Sequence, residues 1–312
     1  MSAPEDVPAR LYGILARKSP VGVIFRRGPS KRVQILHWDT STDTFTPGQW
    51  LHGRIYEKRC DLSPAGKLLI YFAQKQELKS LDPEYTYAWT AISKLPYLTA
   101  LALWPKGDCW GGGGLFLTGH KVWLNHPSAR TKPHPKHKPQ ALEITHEEGG
   151  YGEDGPILRR RLERDGWVCV KEWKGELIQT GFQRIYEERI REGLEMDRGA
   201  VKIGSAGYLT DRPAIFEKPL GEGAFVLRMR SFLTGFEDYD LYSVRDADGQ
   251  QHDIPGAVWA DWDHAHRLVF AREGKLFAIA PEEIATGEPR ELIDLNPNTP
   301  APMDPPDWAK VW

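Results

Sequence analysis

A chain of 312 residues with 30 glycines, 24 prolines and 12 tryptophans is punctuated too often for a bundle of long helices, and its 40% hydrophobic content is enough for a substantial core. Its net charge of −2 excludes a global basic field that would draw it to nucleic acid or anionic lipid. Three cysteines, Cys60, Cys109 and Cys169, form no CxxC pair, which excludes a disulfide framework and a cysteine-based zinc site.

In chain order, Leu11–Phe25 is apolar but broken by Arg17, Lys18 and Pro20, so it reads as two short strands and not a membrane span. Arg32–Trp38 is a strand, followed by a polar turn and a second strand running into Pro47-Gly48. Lys67–Ala73 (KLLIYFA) follows Ser63-Pro64-Ala65-Gly66 and fits a strand buried on both faces. Short strands follow at Leu115–Leu117, Lys121–Leu124, Trp167–Val170, Phe225–Met229, Leu241–Val244, Leu268–Ala271 and Leu276–Ile279, most of them bounded by glycine turns. Asn125–Gly155, rich in Pro, His, Lys and Gly, is expected to be a long loop. Gln183–Arg198 has helix-forming composition, and residues 296–312 form a proline-rich tail that is packed by Trp308 and Trp312 or loose.

A repeated order of acidic residue, turn and apolar strand occurs at Asp61–Ile70 and again at Asp261–Phe270, with looser copies at Leu103–Asp108 and Leu162–Trp167. The spacings are compatible with blades of roughly 40–50 residues. The expectation is an all-β chain, a single β-propeller domain over 1–312 of about five or six four-stranded blades, with a short helical insertion near 183–198. One such blade cannot bury both faces alone, and stacking supplies the cover.

The units at 61–72 and 261–279 resemble the repeats of the Tol-system translocation propeller. Arg59-Cys60-Asp61-Leu62-Ser63-Pro64, Trp104-Pro105-Lys106-Gly107-Asp108-Cys109-Trp110 and Phe216-Glu217-Lys218-Pro219-Leu220 resemble an uncharacterised bacterial family. The resemblance implies a propeller fold and brings no assigned activity or catalytic residues. No export signal precedes the chain's first strand, so the expected location is cytoplasmic.

Three patches carry suggestive chemistry. In Asp108-Cys109-Trp110-Gly111-Gly112, extended by Gly113 and Gly114, backbone N–H groups could cradle a ligand, but the run lacks the Gly-Lys-Ser/Thr ending of a phosphate loop. The simpler reading is a glycine bulge where strands crowd. His134, Lys136, His137 and Lys138 lie in a histidine-rich basic segment that could dock an acidic partner or, though its lysines repel cations, bind a metal; a solvated loop is the plainer reading. Asp261, His264 and His266 alternate as metal ligands on a strand would, yet Asp263 and His264 fall at a hairpin turn where Asp ordinarily bonds the local backbone. No cofactor is indicated beyond a divalent metal at one of the last two patches. The functional expectation is an interaction or scaffold module of a bacterial complex, binding a protein or peptide partner through its loops, with no nucleic acid or membrane partner. The alternative is a hydrolase or lyase, metal-assisted or not, with its site at the propeller mouth.

Overall fold

A computed structural model describes residues 7–28, 31–75, 84–146, 154–172, 213–232 and 239–312. The fold is all-β, five blades in a propeller arrangement with one short α-helix among the described residues. The expected helix at 183–198 lies outside them. The chain forms two compact units, residues 1–165 with 294–312, and residues 166–293.

The first unit holds three sheets. Strands β1 (Arg10–Leu15), β2 (Val21–Arg27), β3 (Arg32–Asp39) and β4 (Thr44–His52) form an antiparallel meander. The second sheet has the order β5 (Arg54–Ile55), β7 (Leu68–Gln74), β8 (Ala88–Lys94) and β9 (Ala102–Pro105), with β6 (Asp61–Leu62) also paired to β7. The third contains β10 (Gly114–Phe116), β11 (Lys121–Leu124) and β12 (Glu143–His146).

The apolar run of β7 explains how these sheets stack. Successive side chains of a strand point to opposite faces. Leu69, Tyr71 and Ala73 pack with Val23, Phe25, Val33 and Ile35 of the first sheet, whereas Ile70 packs with Phe116, Val122 and Leu124 of the third. Strand β9 divides the same way, with Leu103 on one side and Ala102 and Trp104 on the other. A strand that faces two neighbouring sheets must be apolar throughout.

Helix α1 (Gly155–Arg164) begins with Pro156 in its first turn, where a missing N–H costs nothing, and buries Ile157, Arg161 and Leu162. The loop expected over 125–155 is therefore partly regular. Residues 143–146 pair in parallel with β11, and 128–130 make a 3-10 turn.

In the second unit, β13 (Val168–Lys171), β14 (Ala214–Leu220), β15 (Phe225–Phe232), β16 (Tyr239–Arg245) and β17 (Gln251–Asp253) form one antiparallel sheet. Strands β18 (Trp259–Trp262), β19 (Leu268–Arg272), β20 (Lys275–Ile279) and β21 (Arg290–Asp294) form the last sheet.

The two clear copies of the repeat adopt one turn. Gly66 and His266 occupy the same place with φ of 71° and 63°, and each donates its N–H to the carbonyl three residues earlier, on Ser63 and Asp263. Each copy starts with an ion-paired aspartate on the strand before the turn. The looser copies are different structures. Leu103–Trp104 belongs to β9, at the far side of its sheet, and Leu162–Asp165 ends α1.

The tail is packed. Leu295 and Ala309 are fully buried, Trp308 meets Tyr97 edge-on at 5.5 Å, and the Trp312 indole N–H donates to the Lys138 carbonyl at 3.2 Å. Buried Arg26 donates through Nε to the Leu295 carbonyl at 3.0 Å and through Nη2 to the Asn296 carbonyl at 3.1 Å.

Candidate functional site

The glycine run between β9 and β10 is held from behind by buried Arg59. A 3-10 turn over Glu57–Arg59 sends this side chain inward, where Nη1 donates to the carbonyls of Cys109 and Gly111, each at 2.7 Å. Its Nε is 2.5 Å from Asp154 Oδ1, and its guanidinium lies over the rings of Tyr56 and Phe72 at 4.6 and 5.2 Å. A buried cation is tolerable only with such pairing, because desolvation alone costs several kcal/mol.

The glycines are required by the contact. Gly112 and Gly113 have φ of 93° and 83°. A Cβ on Gly112 would sit 2.4 Å from the Phe72 ring, and one on Gly113 would sit 2.3 Å from the Arg59 carbonyl oxygen. On the other side, Gly112 N–H donates to the Asn125 carbonyl at 2.8 Å and Gly113 N–H to Thr90 Oγ1 at 2.8 Å. Trp110 N–H donates to Asp108 Oδ1 at 2.9 Å. Three of the N–H groups expected to greet a ligand are thus bonded within the protein.

Thr90 and His126 complete the brace. His126 Nδ1 is 2.8 Å from the Arg130 carbonyl, which assigns the proton to Nδ1 and leaves Nε2 to accept from the Thr90 hydroxyl at 2.8 Å. Burial lowers the His126 pKa to about 4, so the imidazole is neutral. Asp108 is clamped by Lys106 Nζ at 2.6 Å and by Arg130, which also reaches the Lys106 carbonyl. Its carboxyl is held below the usual range by these partners, against the opposing effect of burial. Cys109 is half-buried against the cluster of Tyr56, Phe72 and Ala88, and Trp110 projects outward, 74% exposed.

The basic segment lies along β9. His134 N–H donates to the Leu103 carbonyl at 2.8 Å, and Leu103 N–H donates to the His137 carbonyl at 3.1 Å, so the segment covers a sheet edge. His134 is buried, stacks on Tyr85 at 4.2 Å and places Nε2 3.1 Å from the Glu84 carboxylate. His137 Nδ1 is 3.0 Å from the Ala100 carbonyl. The histidines are structural here, whereas Lys132, Lys136 and Lys138 are exposed.

The third patch separates by environment. Asp261 is ion-paired with Lys218 at 2.6 Å and accepts the Trp262 N–H at 2.8 Å, while His264 and His266 are exposed on the turn. Asp263 is buried and accepts the N–H groups of Ala265 and Arg267. Among the described residues no group of three or more His, Cys, Asp or Glu is placed to hold a metal ion.

Sequence reading missed the side chains that organise the first unit. Asp61 is buried and receives Arg164 through two bonds, Nη1 to Oδ2 at 2.6 Å and Nη2 to Oδ1 at 2.8 Å, and also accepts the Phe116 N–H at 2.8 Å. Burial opposes the Arg164 charge, but Asp61 and Asp165 outweigh it and raise its pKa. Arg161 donates to the carbonyls of Glu57 and Cys60 and to the Tyr12 hydroxyl. The only signal in the sequence was the charge density of Arg159–Arg164, whose partners lie about a hundred positions away.

No family model matches the chain, and no curated protein does. Among solved structures, a crystal structure of an uncharacterized protein from Listeria monocytogenes EGD-e is similar at 11% identity, over 94% of this chain and 85% of that one, with a TM-score of 0.30. A likeness at that level carries no argument, and the fold assignment rests on the sheets of this chain. No helix among the described residues is long and apolar enough to cross a membrane.

Proposed function

We propose that the protein is an interaction module, a stiff scaffold whose loops bind a protein or peptide partner. The observation that carries this reading is the fate of the polar groups at the glycine run. Asp108, Arg59, Thr90 and His126 all bond to other parts of the protein, and buried neutral His126 is in contact with Thr90 and a carbonyl and not with solvent. A general base needs access to a substrate proton, and a nucleophile needs a base beside it. What the loops offer to solvent is Trp110 and the lysines at 132, 136 and 138. Exposed groups on loops positioned by a rigid framework suit recognition.

The test is cross-linking of the tagged protein in an extract of its own cells, followed by mass spectrometry, with the wild type and with Lys132, Lys136 and Lys138 all changed to Glu. The expected result is a partner cross-linked near these loops, recovered less with the charge-reversed variant. A protein that cross-links to nothing specific would overturn the reading.

A further inference from the structure

We infer that the segment lying along β9, residues 131–139, docks an acidic peptide segment of a partner protein through Lys132, Lys136 and Lys138. This rests on the interaction reading above and names the chemistry of the partner. Charge is unevenly placed along the sequence. From Lys121 to Leu142 there are five Lys and Arg residues and no Asp or Glu, on a chain whose net charge is −2. Two of the five are neutralised from outside the stretch, Lys121 by Glu143 at 2.7 Å and Arg130 by Asp108. The three lysines that remain are exposed and make no ion pair with a described residue. Glu84, beside the segment, lies 3.1 Å from His134 Nε2 and offsets part of the field. Three lysines against that one carboxylate leave the surface positive.

The backbone that carries the lysines is set before any partner arrives. Pro133, Pro135 and Pro139 have their own φ angles fixed by the ring. His134 N–H donates to the Leu103 carbonyl at 2.8 Å, and His137 N–H donates to the His134 carbonyl at 2.9 Å, closing a turn around Lys136. Farther along, the Lys138 carbonyl accepts the Trp312 indole N–H. The His134 ring stacks on Tyr85, and His137 Nδ1 is 3.0 Å from the Ala100 carbonyl, so the histidines serve the sheet edge while the lysines meet solvent. A partner that meets an ordered backbone does not have to supply the free energy of ordering it.

Carboxylates are the complement that fits best, and complementary potentials steer association. Single-stranded nucleic acid combines cations along its backbone with rings on which its bases stack. Residues 131–139 contain no Trp, Tyr or Phe, and Tyr85 beside them is already stacked on His134 at 4.2 Å. An anionic membrane surface is read by clusters of about 4–8 basic residues. The segment presents three. A short run of Asp and Glu on a peptide needs neither stacking rings nor the larger cluster.

The experiment is selection of a random peptide library displayed on phage against the full-length protein. Affinities of the enriched peptides are then measured by fluorescence polarisation, with oligothymidylate and phosphatidylserine vesicles as parallel probes. Enrichment of Asp- and Glu-rich sequences is expected. Each exposed charge pair contributes a factor of about two, so changing Lys132, Lys136 and Lys138 together to Gln should weaken binding roughly tenfold. Added salt should weaken the wild type further. Lys18→Gln removes an exposed lysine from the turn between β1 and β2 and should bind as the wild type does. All the changed residues are exposed, and thermal melting confirms that the variants fold. Enrichment of neutral or basic peptides, no enrichment at all, or lysine-dependent binding of the oligonucleotide or the vesicles in place of peptides overturns the inference. Acidic peptides that bind the triple variant as tightly as wild type, or that lose as much with Lys18→Gln, also overturn it. The broader interaction reading is judged separately, by the cross-linking result.

Discussion

His126 and Thr90 hold the glycine run through one proton whose place is fixed. The folded imidazole has its pKa lowered to about 4, against 6.5 for the ordinary group. Between those values the unfolded chain takes up a proton that the folded chain refuses, so stability falls as the pH drops through that window. The full effect is on the order of 3 kcal/mol. Denaturant midpoints measured across the window should fall more steeply for wild type than for His126→Gln. Equal slopes would show that the imidazole is not the group responsible. The glycines give a second test at the same scale. Gly113→Ala places a methyl against the Arg59 carbonyl at a left-handed backbone position, and the expected loss is about 2 kcal/mol or more by chemical denaturation. A close approach of neighbouring groups was legible in the run of four glycines. Arg59, which makes it necessary, was not, because its hydrogen-bond partners lie some fifty positions away.

Strands were the legible elements. The runs at 32–38, 67–73, 268–271 and 276–279 coincide with β3, β7, β19 and β20 to within a residue or so, since alternation and turn residues are local properties. The elements not foreseen owe their place to distant contacts. Strand β12 is short, lies in a proline-rich and histidine-rich stretch, and gains its order from β11. Helix α1 carries four arginines and few apolar residues, and its fixed position comes largely from guanidinium bonds to carbonyls and to Asp61. Removing one partner of that buried pair should be costly. Asp61→Asn or Arg164→Met is expected to destabilise the protein by about 3–5 kcal/mol. The double variant should lose less than the sum of the two, as read in a double-mutant cycle. Additive losses would mean that the pair is not a unit.

On the scale of the whole chain, the propeller reading came from two copies of one turn, at 61–70 and 261–270, and those copies do share backbone conformation. The division into two compact units, with the second contained within the sequence of the first, had no composition shift to announce it. The last nineteen residues, 294–312, belong to the first unit. Deleting 295–312 should therefore lower the melting temperature. In hydrogen exchange the loss of protection should centre on β2 and β3, where Arg26 and Gln34 lose their partners in Leu295, Asn296 and Asn298. Unchanged protection there would refute the role given to the tail.

The bonds from Arg26 to Leu295 and Asn296 span almost the whole polypeptide, with 269 positions between the first pair. During synthesis at about 5–20 residues per second, Arg26 leaves the ribosome roughly 15–50 seconds before its acceptors exist. Until then a guanidinium destined for burial has no carbonyl to receive it. The first sheet can pair its strands early, but it reaches its final state only once residues 295 and 296 have been made. A chain cut before residue 295 lacks both acceptors for Arg26, however well its early strands have formed.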